Sequence, residues 1–279
     1  MINTNGKLQE DQHIDLENRA MLYGDALFET MRVQAGKVLF WEDHYFRLMA
    51  SMRILRMEIP MKFTPEFLEQ ELLDLVKANA LEKQAARVRL TVYRNGGGLY
   101  LPDDNTVSYF AFAKALPDPF YTLSKAPYEV ELYKDHYVNP DLLSTLKTTN
   151  KMIHITGSIY ARENGFQNCL LINQHKEVVE GLSGNLFVVK GNTIKTAPLA
   201  SGCLRGIIRK QLMGIIQLMP EYTLEEAAIS PFELQQADEL FLTNAIQGIQ
   251  PITKYRKKEY TATVAEALLR KLNVKARLG

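Results

Sequence analysis

Four short runs of strand-forming residues follow one another in the second half of the chain, and they constrain the fold more than any other feature. The runs are NCLLIN, EVVEG, NLFVVKG and NTIKTA, between Asn168 and Ala197. Lys190-Gly191-Asn192 has the composition of a hairpin turn. Strands in such succession depart from regular strand–helix–strand alternation, which suggests an α+β fold.

The first half of the chain also mixes strand and helix patterns. ALFETMRVQAGKVLFW predicts two strands around the turn Ala35-Gly36, and RVRLTVY and VSYFAFAKA predict two more. Thr64 and Pro65 have the residue types of a helix N-terminus. DHYFRLMASMRILRM predicts a helix, because its apolar residues recur at helical spacing: Phe46, Leu48, Met49, Met52 and Leu55. The core face predicted for the helix after Thr64 consists of Phe67, Leu68, Leu72, Leu75 and Val76.

A proline-rich stretch, LPDPFYTLSKAPYE, separates the two halves and shows little periodicity, as is typical of a linker. We therefore predict a smaller N-terminal α/β lobe over residues 1–114, a linker over residues 115–127, and a larger C-terminal lobe over residues 128–279. The C-terminal lobe is expected to include a helix that begins near Gly206.

Composition excludes several classes of function. The chain has 279 residues, 46% of them apolar, which is enough for two hydrophobic cores. Lys and Arg number 33 and Asp and Glu 32, so no net field attracts nucleic acid or an anionic membrane. The polar start and the absence of a long apolar run predict a soluble cytoplasmic protein. Cys169 and Cys203 are expected to be reduced thiols, and the sequence shows no metal-ligand spacing.

Four scattered features together fit one small molecule. Lys147 lies between an extended segment and a helix, and Glu180 precedes a turn of small residues. Gly206 opens a predicted helix whose first amides suit a phosphate, and Arg47 could face the same charge. Pyridoxal 5′-phosphate requires a lysine for its aldehyde, an acid for its ring nitrogen, and amides and a cation for its phosphate. Small residues after the acid would let the flat ring lie against the backbone.

Three long motifs carry a family resemblance. EGLSGNLFVVKGNTIKTAPLASGCLRGIIR resembles the signature of the class IV aminotransferases, the fold-type IV pyridoxal phosphate enzymes. YGDALFETMRV with EDHYFRL resembles their N-terminal signature, and ELFLTNAIQGIQPI their C-terminal one, so the likeness extends from about Leu16 to Ile252. The resemblance implies a two-lobed α+β fold with a mixed, barrel-like sheet in the larger lobe. It also implies a small-molecule amine substrate and a homodimer whose cofactor cleft lies between the lobes.

The resemblance assigns a role to individual positions. Lys147 is expected to bind the aldehyde and move protons, and Glu180 to bond the ring nitrogen. The expected phosphate contacts are Arg47 and the amides of Ile207 and Ile208. The other positions expected to line the cofactor are Ser183, Gly184, Asn185, Gly206, Thr243, Asn244 and Ala245. Many family members carry threonine where this chain has Ala245, which leaves Thr243 or Asn244 to compensate. The positions expected on the substrate side are Tyr23, Phe28, Glu29, Tyr93 and Arg94.

Three activities occur in this family, and local features favour one of them. Asn150 follows Lys147 by three residues, and YRNGGGLY and TNAIQGIQPI resemble 4-amino-4-deoxychorismate lyases. Thr148-Thr149 departs from the usual lyase residues. We predict the lyase, which forms 4-aminobenzoate and pyruvate for folate synthesis, with Arg94 as a candidate cation for a substrate carboxylate.

Two other readings stay open. A branched-chain or D-amino-acid aminotransferase is the first alternative, and a non-catalytic protein that binds pyridoxal phosphate is the second. The presence of both Lys147 and Glu180 argues against the second, because binding alone does not require the acid.

Overall fold

The computed structural model describes residues 1–11, 13 and 15–278. The chain divides into two compact units. The first unit comprises residues 1–120 together with the short segment 147–150, and the second unit comprises residues 121–146 and 151–278.

The first unit is built on one antiparallel sheet. Its strands are β1 (Ile2–Thr4), β2 (Lys7–Gln9), β3 (Ala26–Gln34), β4 (Lys37–Val38), β5 (Ala86–Arg94) and β6 (Val107–Ala115). Its helices are α1 (Arg19–Tyr23), α2 (Trp41–Ile54) and α3 (Pro65–Ala78). The strand order is β2-β1-β6-β5-β3-β4, and α2 and α3 pack on the face that carries the buried side chains of β3 and β5.

Local sequence signals account for most of these elements. Ala35 and Gly36 have φ of 49° and 73°, the left-handed values that a two-residue hairpin between β3 and β4 requires. Thr64 caps α3 by accepting a hydrogen bond from the Phe67 amide at 3.1 Å. Phe46, one of the apolar residues at helical spacing on α2, is 62% exposed.

The N-terminal hairpin was not indicated by the sequence pattern. β1 and β2 are three residues each, and the turn between them places Asn5 and Gly6 at φ of 51° and 90°. β1 pairs with β6 over Ile2–Thr4, so long-range pairing rather than local periodicity fixes this segment.

The second unit contains two five-stranded sheets. Its strands are β7 (Glu129–Val138), β8 (Asn168–Asn173), β9 (Val178–Gly181), β10 (Asn185–Lys190), β11 (Thr193–Thr196), β12 (Thr223–Glu226), β13 (Glu239–Asn244), β14 (Gly248–Ile252), β15 (Lys254–Tyr255) and β16 (Lys258–Glu259). Its helices are α4 (Met152–Glu163), α5 (Ile207–Ile216), α6 (Pro231–Gln236) and α7 (Thr263–Leu278). The strand orders are β12-β11-β10-β13-β14 and β16-β15-β7-β8-β9.

Both sheets of the second unit are mixed. β7 pairs in parallel with β8 and with β15, β11 pairs in parallel with β12, and the remaining neighbours are antiparallel. β8, β9 and β10 are almost entirely buried, which explains why their sequences are continuous apolar runs. The predicted hairpin at Lys190-Gly191-Asn192 is confirmed by the pairing of Lys190 with Thr193.

The α+β prediction is confirmed, because short strands and helices alternate irregularly in both units. Within residues 1–11, 13 and 15–278, no helix is both long enough and apolar enough to cross a membrane.

Candidate active site

Glu180 lies on β9 as a buried carboxylate with its two oxygens in different surroundings. Oε2 accepts hydrogen bonds from the Asn185 side-chain amide at 3.1 Å and from the Leu204 backbone amide at 3.0 Å. Oε1 lies 3.8 Å from His154 Nε2. Two donors thus fix the carboxylate through one oxygen and leave the other oxygen facing His154. The role predicted for Glu180 stays a prediction.

The turn between β9 and β10 is tightly packed. A Cβ at Gly181 would lie 2.7 Å from the Leu242 side chain, and one at Gly184 would lie 2.4 Å from the Thr243 carbonyl oxygen. Packing against β13 therefore accounts for both glycines, whereas our prediction attributed the small residues to a flat ring. Ser183 Oγ accepts from Asn168 Nδ2 at 2.9 Å, which ties the turn to β8.

The N-terminus of α5 forms the second part of the candidate site. Gly206 is the N-cap residue, and Ile207 and Ile208 open a ten-residue helix. The first amides of a helix lack acceptors within it and lie at the positive end of its dipole, so they suit a phosphate. In this described segment the first turn carries no acidic side chain that would compete for them.

Asn185 connects the two parts of the candidate site. Its Nδ2 donates to Glu180 Oε2 and to the Leu204 carbonyl, the latter at 2.8 Å. A Cβ on Gly206 would lie only 1.9 Å from Asn185 Oδ1. Gly206 therefore allows the start of α5 to approach the side chain that orients Glu180.

Gly206→Ala should disturb both the fold and the candidate phosphate site. Relief of the clash requires the Asn185 side chain or the start of α5 to move, and overpacking of this kind costs about 1–3 kcal/mol. We expect a lower melting temperature and cofactor affinity weakened by about tenfold, measured by thermal denaturation and by titration with pyridoxal phosphate.

Gly214→Ala, in the same helix, is the matched control. Its new Cβ would meet only Lys275 Nζ, at 3.8 Å, so the variant should be neutral or more stable by about 0.5–1 kcal/mol. Equal effects of the two substitutions would contradict the role given to Gly206.

The end of β13 contains the remaining predicted cofactor positions. Thr243 is buried, and its hydroxyl donates to the Asn185 carbonyl at 3.4 Å. Asn244 Nδ2 donates to the Ser183 carbonyl at 3.1 Å, so it links β13 to the β9–β10 turn. The Ala245 carbonyl accepts from the Tyr121 hydroxyl at 3.1 Å. That Thr243 or Asn244 compensates for the threonine hydroxyl missing at Ala245 stays a prediction.

In the first unit, Lys147 is held against the start of β3. Its carbonyl accepts from the Phe28 amide at 2.9 Å, and the Thr149 amide donates to the Ala26 carbonyl at 3.0 Å. Lys147 Nζ lies 4.4 Å from the centroid of the Phe28 ring. The contact between Lys147 and the predicted substrate residue Phe28 is therefore direct.

Glu29, Arg47 and His44 form a buried cluster. Arg47 Nε donates to Glu29 Oε1 at 2.7 Å and its terminal nitrogen donates to Oε2, while His44 Nδ1 lies 2.7 Å from Oε2. Burial disfavours the charge on Glu29, but Arg47 and His44 outweigh it and lower the pKa of this carboxyl to about 2. Burial also lowers the pKa of His44 against the opposing effect of Glu29, and the charges of Arg47 and Lys147 lower it further. The structure thus joins the predicted phosphate residue and the predicted substrate residue in one ion pair.

The Glu29 cluster predicts a specific acid sensitivity. A carboxyl whose pKa is lower in the folded state stabilises the fold above its unfolded pKa, and this contribution disappears as pH falls through the folded value. We expect the Glu29 contribution to be complete above about pH 4.5 and lost towards about pH 2. Urea unfolding at several pH values should therefore show a flatter acid dependence for Glu29→Gln than for the exposed control Glu10→Gln. Parallel curves would contradict the prediction.

Arg94 has a different role from the predicted one. This buried guanidinium contacts Asp25 Oδ2 at 2.8 Å, Asn105 Oδ1 at 2.6 Å and the Leu55 carbonyl at 2.7 Å. These protein acceptors account for Arg94, so we do not retain it as the cation for a substrate carboxylate.

The two predicted tyrosines lie in different surroundings. Tyr23 ends α1 and its ring centroid lies 5.8 Å from that of the exposed Tyr100. Tyr93 lies on β5, with its ring centroid 6.1 Å from that of Phe110. Their substrate roles stay predictions.

Arg89 is a candidate residue that sequence reasoning missed. Its Cζ lies 3.7 Å from the same Phe28 ring centroid, so Arg89 Cζ and Lys147 Nζ are no more than about 8 Å apart. Burial, and then the charge of Arg87, lower the pKa of Arg89 from its ordinary high value. An arginine guanidinium nevertheless stays charged in proteins at neutral pH. The alternation of Arg87 and Arg89 with buried Val88 and Leu90 was the available signal.

The chain belongs to the class IV aminotransferase family, whose model, described as "Amino-transferase class IV", matches residues 26–255. Proteins of this family are pyridoxal phosphate-dependent aminotransferases and lyases, which confirms the predicted class of enzyme and cofactor.

Relatives with different printed activities are similar to the chain. A putative branched-chain-amino-acid aminotransferase of Methanocaldococcus jannaschii is 30% identical, over 89% of this chain and 85% of its own length. An aminodeoxychorismate lyase of Vibrio harveyi is 23% identical, over 86% of this chain and 87% of its own. D-alanine aminotransferases are similar as well.

A solved structure supports the fold assignment. The branched-chain amino acid aminotransferase of Thermobaculum terrenum, in its holo form with pyridoxal phosphate, superposes with a TM-score of 0.87 at 22% identity. The match covers 100% of this chain and 94% of that one. The predicted fold-type IV architecture is thereby confirmed.

Proposed function

We propose that this protein is a 4-amino-4-deoxychorismate lyase, which uses pyridoxal phosphate to release pyruvate and form 4-aminobenzoate. The structural observation on which the proposal rests is the placement of Arg89 and Lys147 over one Phe28 ring, with Arg89 Cζ and Lys147 Nζ within about 8 Å of each other. A substrate amine held beside Lys147 can then reach Arg89 with a carboxylate on another part of the same molecule. Aminodeoxychorismate is such an amine, because it carries two carboxylates.

Local geometry supports the roles that we propose for Glu180 and for the start of α5. Glu180, fixed through Oε2, presents Oε1 to the ring nitrogen and keeps it protonated. The amides of Ile207 and Ile208 bind the phosphate, and Arg47 stays a proposed further contact. When bound, pyridoxal phosphate supplies an electron sink for the carbanion at the substrate carbon. Lys147 Nζ accepts and returns the substrate proton.

An aminotransferase acting on branched-chain amino acids is the second candidate. The relative with that printed activity is 30% identical to this chain, compared with 23% for the Vibrio harveyi lyase. The buried contacts of Arg94 also remove one argument for the lyase. A dicarboxylate such as 2-oxoglutarate would satisfy Arg89 equally well.

Two assays separate the candidates. One supplies aminodeoxychorismate and measures pyruvate and 4-aminobenzoate; the other supplies leucine with 2-oxoglutarate and measures glutamate. We expect product only in the first. If glutamate forms in the second assay and no product forms in the first, the lyase proposal is wrong and the aminotransferase takes its place.

Arg89→Gln should weaken substrate binding more than it slows the chemical step. Loss of a charge-assisted contact to a carboxylate costs about 1.5–3 kcal/mol, so KM should rise about tenfold to a hundredfold while kcat changes less. Steady-state kinetics measures both. Lys114→Gln is the matched control, because Lys114 is an exposed cation of the same sheet. An unchanged KM in Arg89→Gln would remove Arg89 from the site.

We also propose that the protein works as a homodimer in the cytoplasm and that its product enters folate synthesis. Met152, Ile155 and Ile159 form an exposed apolar stripe at helical spacing on α4, which suits an interface. Both cysteines are free and buried, as is usual in a reducing compartment. Light scattering coupled to gel filtration measures the subunit number, and a monomer would contradict the dimer.

A further inference from the structure

His154 is a titratable side chain that no part of the proposed function uses, yet it lies beside the proposed catalytic acid. It occupies the first turn of α4, and its side chain is 25% exposed. Its Nε2 lies 3.8 Å from Glu180 Oε1, the oxygen that does not accept from Asn185 or Leu204. Both residues belong to the second unit. A neutral imidazole has only a weak electrostatic effect at this distance, whereas an imidazolium forms an ion pair with the carboxylate.

We propose that His154 is a positioning residue for Glu180, whose protonated ring competes with the ring nitrogen of the cofactor for Oε1. This inference rests on the proposed role of Glu180. In the free protein, the imidazolium holds the carboxylate through Oε1, while Asn185 and Leu204 hold it through Oε2. A protonated pyridine ring brings a second positive charge to the same oxygen. Two cations beside one carboxylate repel each other, so cofactor binding and protonation of His154 oppose each other.

Linkage fixes the sign of the effect. Because the bound cofactor disfavours the imidazolium, binding releases a proton from a charged His154 ring, and cofactor affinity falls as that ring becomes protonated. The other titratable or charged side chains on α4 and on the neighbouring strands β7, β8 and β9 are Glu129, Glu131, Tyr133, Lys134, Asp135, His136, Tyr137, Tyr160, Arg162, Glu163 and Cys169. Burial, and then the charges of Cys169, Glu131 and Asp135, raise the pKa of Tyr160, which lies at the other end of α4. These groups are the same in every variant compared below, so their effects cancel.

Two substitutions separate charge from packing. His154→Gln keeps a polar side chain that is neutral at every pH, and His154→Lys keeps a positive charge from pH 5.5 to 8. The dissociation constant of pyridoxal phosphate is measured for both and for wild type across this range. The protons released on binding are measured by calorimetry in two buffers of different ionisation enthalpy. His175→Gln, which removes an exposed histidine of the same unit, is the control.

As pH is lowered from 8 to 5.5, the dissociation constant of pyridoxal phosphate should rise in wild type by a factor about threefold to tenfold larger than in His154→Gln. This is the size of effect expected from a partly exposed ion pair. His154→Lys should bind the cofactor more weakly than His154→Gln at both ends of the range. At the acid end of this range, wild type and His175→Gln should release more protons than His154→Gln. Parallel pH dependences of wild type and His154→Gln, or equal affinities of the Gln and Lys variants, would overturn the proposal.

The outcome is distinguishable from failure of the proposed function. If the His154 variants differ as expected but no lyase product forms, the pairing stands and the substrate assignment fails. The His154→Gln substitution is also made in the Glu180→Gln variant. If it changes the pH dependence of cofactor affinity there as much as it does when Glu180 is present, the effect does not pass through Glu180 and the proposal is wrong.

Discussion

Lys147→Ala should abolish the visible absorption that pyridoxal phosphate gains on binding to the wild-type protein, and should reduce turnover by at least about a thousandfold. The substitution removes the only group proposed to bond the aldehyde and to move the substrate proton. The backbone of Lys147 pairs with Phe28 through its carbonyl, which alanine retains, so the fold should survive.

Absorption spectra and single-turnover kinetics measure this effect. Lys134→Ala, which removes an exposed lysine of β7, is the control and should behave as wild type. A wild-type protein that stays colourless with the cofactor would refute the enzyme assignment. A variant that keeps the visible band would assign the bond to another lysine.

Glu180→Gln should bind the cofactor and yet lose activity by about a hundredfold to a thousandfold. The glutamine carbonyl can accept from Asn185 and Leu204 as Oε2 does, so the side chain should keep its place. Its neutral amide cannot hold a proton on the ring nitrogen, and the electron sink is weakened.

Cofactor titration and steady-state kinetics separate binding from turnover. Glu177→Gln is the matched control, because Glu177 also accepts from an asparagine side chain, Asn173 at 2.8 Å, in the same unit. Undiminished turnover in Glu180→Gln would mean that another acid faces the ring.

Elements fixed by local chemistry were predictable from the sequence. The Ala35-Gly36 turn, the Thr64 cap and the Gly206 helix start each depend on residues close together in the chain. The N-terminal hairpin was not predictable, because β1 is fixed by pairing with β6 about a hundred residues away.

The same dependence on packing between distant segments explains why the sequence pointed to Arg94 as the candidate substrate cation, whereas the structure points to Arg89. Both lie on β5, and strand periodicity gives them opposite faces without saying what covers each face. The acceptors of Arg94 come from the end of α2 and from Asp25 and Asn105, which are distant in the chain. Only the folded arrangement shows that these acceptors occupy Arg94 and that Arg89 lies over the ring that Lys147 contacts.

The sequence determines the choice between lyase and aminotransferase less than it determines the fold or the cofactor. Lyases and aminotransferases of this family use the same lysine and acid, since both reactions begin by stabilising a carbanion. What separates them is how the rest of the substrate is held, and one half-buried arginine is compatible with more than one dicarboxylate.

The most direct test of the account is to locate the bond between protein and cofactor. Borohydride reduction of the wild-type protein with pyridoxal phosphate, followed by proteolysis and mass spectrometry, should place the phosphopyridoxyl group on the peptide that contains Lys147. Its attachment to a different lysine, or no attachment at all, would contradict the account.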